Sequence, residues 1–383
     1  MLVYALKMLI GDKVKYIGIV LGLCFASFII TQQAAILVGI VNRTYGLITD
    51  TSQPNIWVMD PTVQYIDDIK PLKDTDLYRV RSVEGVDWAV PFYKGLIQAR
   101  LTNGIFQTCV LLGIDDATLI GGPPVMLEGN LIDLRMDSAI IVNKVGAEGK
   151  LAEYKDGVSV PLKVGDLMEL NDNRSYVCGI CEASRTFQSQ PVVYTTYGRA
   201  TTFAPFQRKL LSFILAHSVP GTAPEEVCQR ITQHTGFAAY TPKQLKWLTI
   251  MYYMKYTGIF VNFGVAIILG FIIGTAIAGQ TLYNFTVDNL PHFAVFKAMG
   301  ADNTLLVKIV LLQALFVSVI GWGIGMGAAC LFGYITQGTE LSFSLPLSLY
   351  FLSAGSILCI SLFSAAICMR KIITLDPAIV FKS

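Results

Sequence analysis

Apolar and polar positions divide this chain unevenly. Four long uncharged runs stand out, at residues 16–41, 256–286, 309–336 and 345–369, and none contains Asp, Glu, Lys or Arg. Each exceeds the roughly 20 residues a helix needs to cross about 30 Å of hydrocarbon. Between the first run and the second lies a long stretch of mixed polarity. The pattern predicts a 1 + 3 helical membrane protein with a large water-facing domain inserted between helices 1 and 2.

Within the insert the signal changes to short strand-like runs at 55–59, 86–90, 96–101, 106–112, 139–142, 175–180, 192–194 and 211–215. Turn clusters such as Gly121-Gly122-Pro123-Pro124 separate them. Helical patterns fall at 73–83 and 224–235. This predicts an α+β domain with two lobes. Its exit is marked by Thr241-Pro242-Lys243-Gln244, a capping box with Pro at the first helical position. Trp247, Tyr252, Tyr253 and Tyr256 follow and suit the headgroup belt. The second span is therefore expected to begin outside the bilayer as a rigid stalk, and residues 252–280 to transmit movement.

The expected segments are a short amphipathic cytoplasmic stub (1–15), span 1 (16–42), the extracytoplasmic domain (43–250), stalk and span 2 (251–286), a cytoplasmic loop (287–303), span 3 (304–336), an external loop (337–346), span 4 (347–369) and a cytoplasmic tail (370–383). Span 1 is longer than the apolar core of a signal peptide, so it is expected to remain uncleaved. Orientation follows the basic residues. Lys7, Lys13 and Lys15 precede span 1; Arg370, Lys371 and Lys382 follow span 4; Lys297 lies between spans 2 and 3, and Lys308 just before the uncharged run of span 3. The 337–346 loop has neither Lys nor Arg. The termini and the 287–303 loop are thus expected inside, and the large domain outside.

Composition refines this picture. Charged residues are 15% of the chain and apolar ones 53%, a shift away from the roughly 25% charge of soluble domains that the four runs account for. A net charge of +2 argues against nucleic acid as a partner. Of eight cysteines, Cys24, Cys330, Cys359 and Cys368 lie in spans and are read as small apolar fillers. Cys109, Cys178, Cys181 and Cys228 fall in the outer domain. Cys178-Gly-Ile-Cys181 has redox or zinc spacing, but on a strand positions three apart face opposite ways; packing or a structural disulfide is the favoured reading. No phosphate-cradling Gly-x-x-x-x-Gly-Lys-Ser/Thr occurs, nor His-Glu-x-x-His or Gly-x-Ser-x-Gly. Asp115-Asp116 reads as a turn. No catalytic residue, metal site or cofactor is expected on this chain.

Three features in and between the spans carry the functional expectation. Thr31-Gln32-Gln33 places a polar trio within span 1, read either as interhelical hydrogen bonding or as a gate or dimer seam. Gly270 and Gly274, then Gly321 and Gly325 with the overlapping Gly323 and Gly327, have the small-residue spacing of close helix packing, within the monomer or across a dimer. Pro291 and Gly300 bracket a short helix in the inner loop, with Leu290, Phe293, Ala294, Lys297 and Ala298 recurring on one face. Such a helix lies on headgroups or docks into a groove of a soluble partner.

Phe296-Lys-Ala-Met-Gly-Ala-Asp302 resembles the coupling segment of FtsX/MacB-type (type VII) ABC transporter permeases. Met369-Arg-Lys-Ile-Ile-Thr-Leu-Asp-Pro-Ala378 resembles their closing signature, and Val86-Asp-Trp-Ala-Val-Pro-Phe92 and Gly113-Ile-Asp-Asp-Ala-Thr118 resemble stretches of their periplasmic domain. Gln280-Thr-Leu-Tyr283, with Asp288-Asn-Leu-Pro291 and Lys297-Ala-Met-Gly300, is most similar to the DevC-like branch, which works with a DevA-like ATPase and a DevB-like membrane-fusion protein. The resemblance implies a bacterial inner-membrane permease with its large domain in the periplasm. It implies a homodimer with two ATP-binding-cassette subunits that hold ATP and Mg, and a HlyD/MacA-type membrane-fusion protein leading to an outer-membrane exit duct. Leu290, Pro291, Phe293, Ala294, Lys297, Ala298, Met299 and Gly300 are the implied coupling-helix contacts. The implied activity is mechanotransmission export of an amphiphilic or hydrophobic load such as a lipid, glycolipid, haem or toxic compound. The alternative is an FtsX-like scaffold that activates an extracytoplasmic cell-wall hydrolase.

Overall fold

The structure is a computed structural model; it describes residues 2–101, 104–155, 158–204 and 211–373. The chain divides into two compact units, residues 1–40 with 258–383, and residues 41–257. The tail signature at 374–378 lies outside the described residues.

The first unit is helical. α1 (Leu2–Gly11) is followed by α2 (Lys13–Thr44), whose last residues belong to the second unit. After the second unit come α9 (Ile259–Asp288), α10 (Leu290–Ala298), α11 (Asn303–Ile335) and α12 (Leu347–Ile373). α2, α9, α11 and the 347–369 part of α12 are each long and apolar enough to span a bilayer. They share one core with α1 and α10, built around Leu23, Ala26, Ile30, Leu282, Phe285, Val310 and Ile360.

Glycine determines how these helices seat. A Cβ on Gly274 would lie 2.5 Å from the Cβ of Ala26, and one on Gly325 2.5 Å from the carbonyl oxygen of Cys24. At Gly321 it would meet Leu23 at 2.6 Å, and at Gly270 Ile29 at 3.1 Å. All four glycines therefore receive α2 of the same chain. The predicted motif packs within the monomer at these positions, whereas Gly323 and Gly327 are exposed and have no neighbour within 4 Å of such a Cβ.

The second unit is built on a ten-stranded sheet. Its elements are α3 (Gly46–Asp50), β1 (Ile56–Met59), α4 (Asp74–Arg81), β2 (Val86–Arg100), β3 (Phe106–Ile114), β4 (Val125–Glu128), a 3₁₀ turn (Leu131–Arg135), β5 (Ala139–Asn143), α5 (Lys144–Glu148), β6 (Glu153–Lys155), β7 (Val158–Val160), β8 (Leu167–Leu170), β9 (Asn173–Glu182), β10 (Val192–Thr196), α6 (Tyr197–Phe203), β11 (Phe213–Ser218), α7 (Pro224–Thr235), β12 (Ala238–Tyr240) and α8 (Pro242–Tyr256). Strand order is β12-β1-β11-β2-β3-β10-β5-β9-β4, with β8 joining β2 and β9 and with β6–β7 a separate ribbon. The two runs read as separate strands, 86–90 and 96–101, are one strand, β2. It pairs with β11 through its first half and with β3 through its second. The two expected lobes are thus two ends of one sheet, each with its own core and both sharing a third around Trp57, Phe92, Tyr194 and Phe213.

The stalk expectation needs correction. The Thr241 capping box forms in both directions, Gln244 N donating to Thr241 Oγ1 at 3.4 Å and Thr241 N to Gln244 Oε1 at 3.0 Å. α8 nevertheless ends at Tyr256, because Thr257 is extended (φ −119°, ψ 146°) and Gly258 opens a new helix. Thr and Gly in succession are poor helix formers, so the rod is jointed there. The aromatic belt is also only partial. Tyr252 stacks on Tyr65 at 4.1 Å, and Tyr253 is buried against Tyr65 and Phe187. These rings hold α8 within its own unit; Trp247 and Tyr256 remain exposed.

Candidate functional site

The inner loop between α9 and α11 is held by local chemistry at every corner. Asn289 closes α9, its backbone N and Nδ2 donating to the Phe285 carbonyl at 3.1 and 2.8 Å. Pro291 sits in the first turn of α10, where its missing N–H costs nothing. The helix ends in a Schellman turn: Gly300 has φ +89°, its N donates to Lys297 O at 3.0 Å, and Ala301 N donates to Phe296 O at 2.9 Å. Asp302 then caps α11, accepting from Asn303 N at 2.7 Å. A stiff nine-residue helix with defined exits results.

The two faces of α10 have separate roles. Phe293 and Ala294 are fully buried in the helical core, so they anchor α10 rather than present a surface, which narrows the contact set read from the sequence. Leu290, Phe296 and Lys297 are half-buried, and Lys297 makes its own polar interactions. Pro291, Ala298, Met299 and Gly300 are exposed. His292 and Val295, absent from the sequence-based set, complete that exposed face. The signal that identifies them is their position on the side opposite Phe293 and Ala294.

Charge ties this loop to span 1. Lys15, near the start of α2, pairs with Asp12 at 2.7 Å and with Asp288, the last residue of α9. Asp12 is held below the usual carboxylate range chiefly by its hydrogen bond from Lys15.

Of the polar trio in span 1, Thr31 is buried, its Oγ1 2.6 Å from Ser353 Oγ of α12, while Gln32 and Gln33 are half-buried. Thr31 thus makes an interhelical hydrogen bond. A second one runs from Ser361 Oγ to Ala314 O at 2.7 Å.

The outer cysteines correct one sequence argument. Strand alternation should separate Cys178 from Cys181, yet both enter the same core. The register of β9 against β5 slips by one, Ile140 pairing with Val177 and Ile141 with Gly179, so a bulge at Cys178 resets the alternation. All four outer thiols are unpaired and buried. Burial pushes Cys178 up to about 11 and Cys109, Cys181 and Cys228 up to about 12. Among the described residues no group of His, Cys, Asp or Glu is placed to hold a metal. Asp115 serves its turn, accepting from Thr118 N at 2.8 Å, whereas Asp116 accepts from Gly198 N at the start of α6 at 3.2 Å.

Residues 264–377 match the family described as FtsX-like permease C-terminal. Two proteins of Mycobacterium tuberculosis, from strains CDC 1551 / Oshkosh and ATCC 25618 / H37Rv, are each described as an uncharacterized ABC transporter permease. Each is 23% identical to this chain over 318 residues, which is 81% of the chain and 79% of the relative. Among solved structures, the periplasmic region of MacB from Actinobacillus actinomycetemcomitans aligns with a TM-score of 0.38 at 12% identity, over 52% of this chain and 92% of that one. The extracellular domain of the transporter YknZ from Gram-positive bacteria aligns with a TM-score of 0.34 at 13% identity, over 49% of this chain and 99% of that one. Four spanning helices in a 1 + 3 arrangement and the inserted domain thus accompany a C-terminal FtsX-like permease segment, and the chain is similar over most of its length to proteins described as ABC transporter permeases.

Proposed function

We propose that the chain is the permease subunit of an ABC exporter of the DevC-like branch, driven by a separate ATPase that docks on α10. The observation that carries this reading is the division of α10 into a face sunk in the helical core and a face of Pro291, His292, Val295 and Met299 left open. A push on the open face reaches the spans without passing through a long loop, because Asn289 alone separates α10 from α9 and the Gly300 turn leads directly to Asp302 and α11. ATP and Mg would be held by the partner subunit. Two permease copies, two ATPase subunits and a membrane-fusion adaptor with an outer-membrane duct make up the proposed assembly, in the bacterial inner membrane with residues 41–257 in the periplasm.

The load is proposed to be an amphiphile. The spans lack the charged groups that a hydrophilic ion or sugar would need near the midplane. Their buried polar side chains include Thr31, Ser353 and Ser361, which bond helix to helix. Movement of the outer domain, driven from inside, then does the work without a polar path through the helices. A 16-carbon chain released into water would cost about 12 kcal/mol at roughly 0.8 kcal/mol per CH₂, so the exit is expected to be shielded by the outer domain and its adaptor.

Val295→Asp and Met299→Asp test the docking surface. Both positions are exposed, so the variants should reach the membrane folded and lose the co-purified ATPase. Ala294→Asp is unsuitable, since it would place a carboxylate in the core. Undiminished co-purification with both exposed variants would remove the assignment.

A further inference from the structure

The inner ends of the helical unit hold a cleft of about 560 Å³, lined by Met8 and Gly11 of α1, His292 and Val295 of α10, and Asp12 and Asp288. We propose that α1 and α10 together form the ATPase-docking surface, a two-walled cleft that receives a projecting segment of the ATPase. This rests on the reading that α10 meets an ATPase, and adds to it a second wall from the N-terminal helix.

Three observations support that occupant. The cleft is continuous with the proposed docking face, because His292 and Val295 belong to both. Its walls are fixed before any partner arrives. Leu9 of α1 and Phe293 of α10 are fully buried in one core, and Lys15 bridges Asp12 and Asp288. Its chemistry is also mixed. Met8, Val295 and Phe296 supply apolar lining, Lys7 a cation, and Asp288 keeps a half-exposed carboxylate. An amphipathic protein segment matches this better than a lipid tail, which has no use for the ions.

Gly11 allows a clean test. It is exposed at the end of α1, and a Cβ built there meets nothing within 4 Å. Gly11→Ala should leave the cleft open, whereas Gly11→Trp should fill it. The measurement is binding of the purified ATP-binding-cassette subunit encoded nearest the permease gene to full-length permease in nanodiscs. Expected is binding weakened by at least about ten-fold in Gly11→Trp, unchanged in Gly11→Ala and weakened in Val295→Asp. If Gly11→Trp binds like the parent while Val295→Asp does not, α1 is no part of the surface and this inference falls, the role of α10 surviving. If all three bind like the parent, both readings fall. Should Gly11→Trp fail to enter the membrane folded, Lys7→Glu on the same lining replaces it, with loss of binding supporting the two-walled surface and parental binding overturning it.

Discussion

At the scale of single residues, burial decides chemistry. A thiol raised to about 12 is ionised in only about one molecule in ten thousand at pH 8, and the thiolate is the reactive form. Cys109, Cys181 and Cys228 should therefore resist alkylation at pH 8 in the folded protein and react fully once it is denatured; mass spectrometry of the labelled peptides reads this directly. Asp50 titrates in the opposite sense to a carboxylate in a salt bridge. Burial raises its pKa against the lowering effect of hydrogen bonds from Ser184. Its contribution to stability is thus fully present below its unfolded value near 3.8 and is lost as pH rises through the raised value. Asp50→Asn is expected to raise the thermal midpoint at pH 7, with the gain shrinking towards pH 4. Lys94 is buried, with Asp67 as its ion-pair partner and the Ile66 carbonyl accepting at 3.1 Å. Asp67→Ala should cost about 2–3 kcal/mol, less than for a fully buried pair because Asp67 is partly hydrated; Lys94→Met with Asp67→Asn should recover much of it in thermal unfolding.

Helices and strands show where local preference yields to packing. Two glycine motifs overlap on α11, and residue type alone does not separate them. Gly325 presses on the backbone of Cys24, while Gly323 and Gly327 face open space. Gly325→Ala should therefore destabilise the membrane unit by about 1–3 kcal/mol. Gly323→Ala and Gly327→Ala should be neutral or slightly stabilising as helix propensity improves. Thermal unfolding in detergent distinguishes the two classes. The joint at Thr257–Gly258 follows a similar logic. Gly258 has an ordinary φ of −75° and room for a Cβ, so nothing in its geometry requires glycine. Replacing both residues with alanine should extend helical protection across the joint, read as slower hydrogen exchange at amides 258–261. Unchanged exchange would mean that the break is imposed by tertiary packing.

For the whole molecule, the proposed function requires α10 and the inserted domain to lie on opposite sides of a membrane. The positive-inside rule, applied to Lys7, Lys13 and Lys15 at the start of the chain and to Lys297 and Lys308 around the α10 loop, predicts α10 inside and the intervening domain on the other side. Cysteine-accessibility labelling in inside-out and right-side-out vesicles should modify residue 150 and residue 295 from opposite sides. Modification of both from one side would rule out a helix that takes up force inside and a domain that uses it outside.

Much of this protein was legible in its sequence because hydrocarbon is a severe solvent. Uncharged runs of sufficient length have few alternatives to a spanning helix, and Pro291, Gly300 and the Thr241 capping box act through neighbouring backbone atoms. Those features depend on local chemistry, so a linear reading captures them. Other features depend on what lies across the fold. The bulge that turns Cys178 and Cys181 into one core is set by the pairing of β9 with β5, and the union of two predicted strands into β2 by partners on both its sides. Phe293 and Ala294 became anchors, and His292 and Val295 surface, only when the spans supplied a core for one face of α10. Periodicity says that a helix has two faces; which of them is free is decided by the neighbours that bury the other.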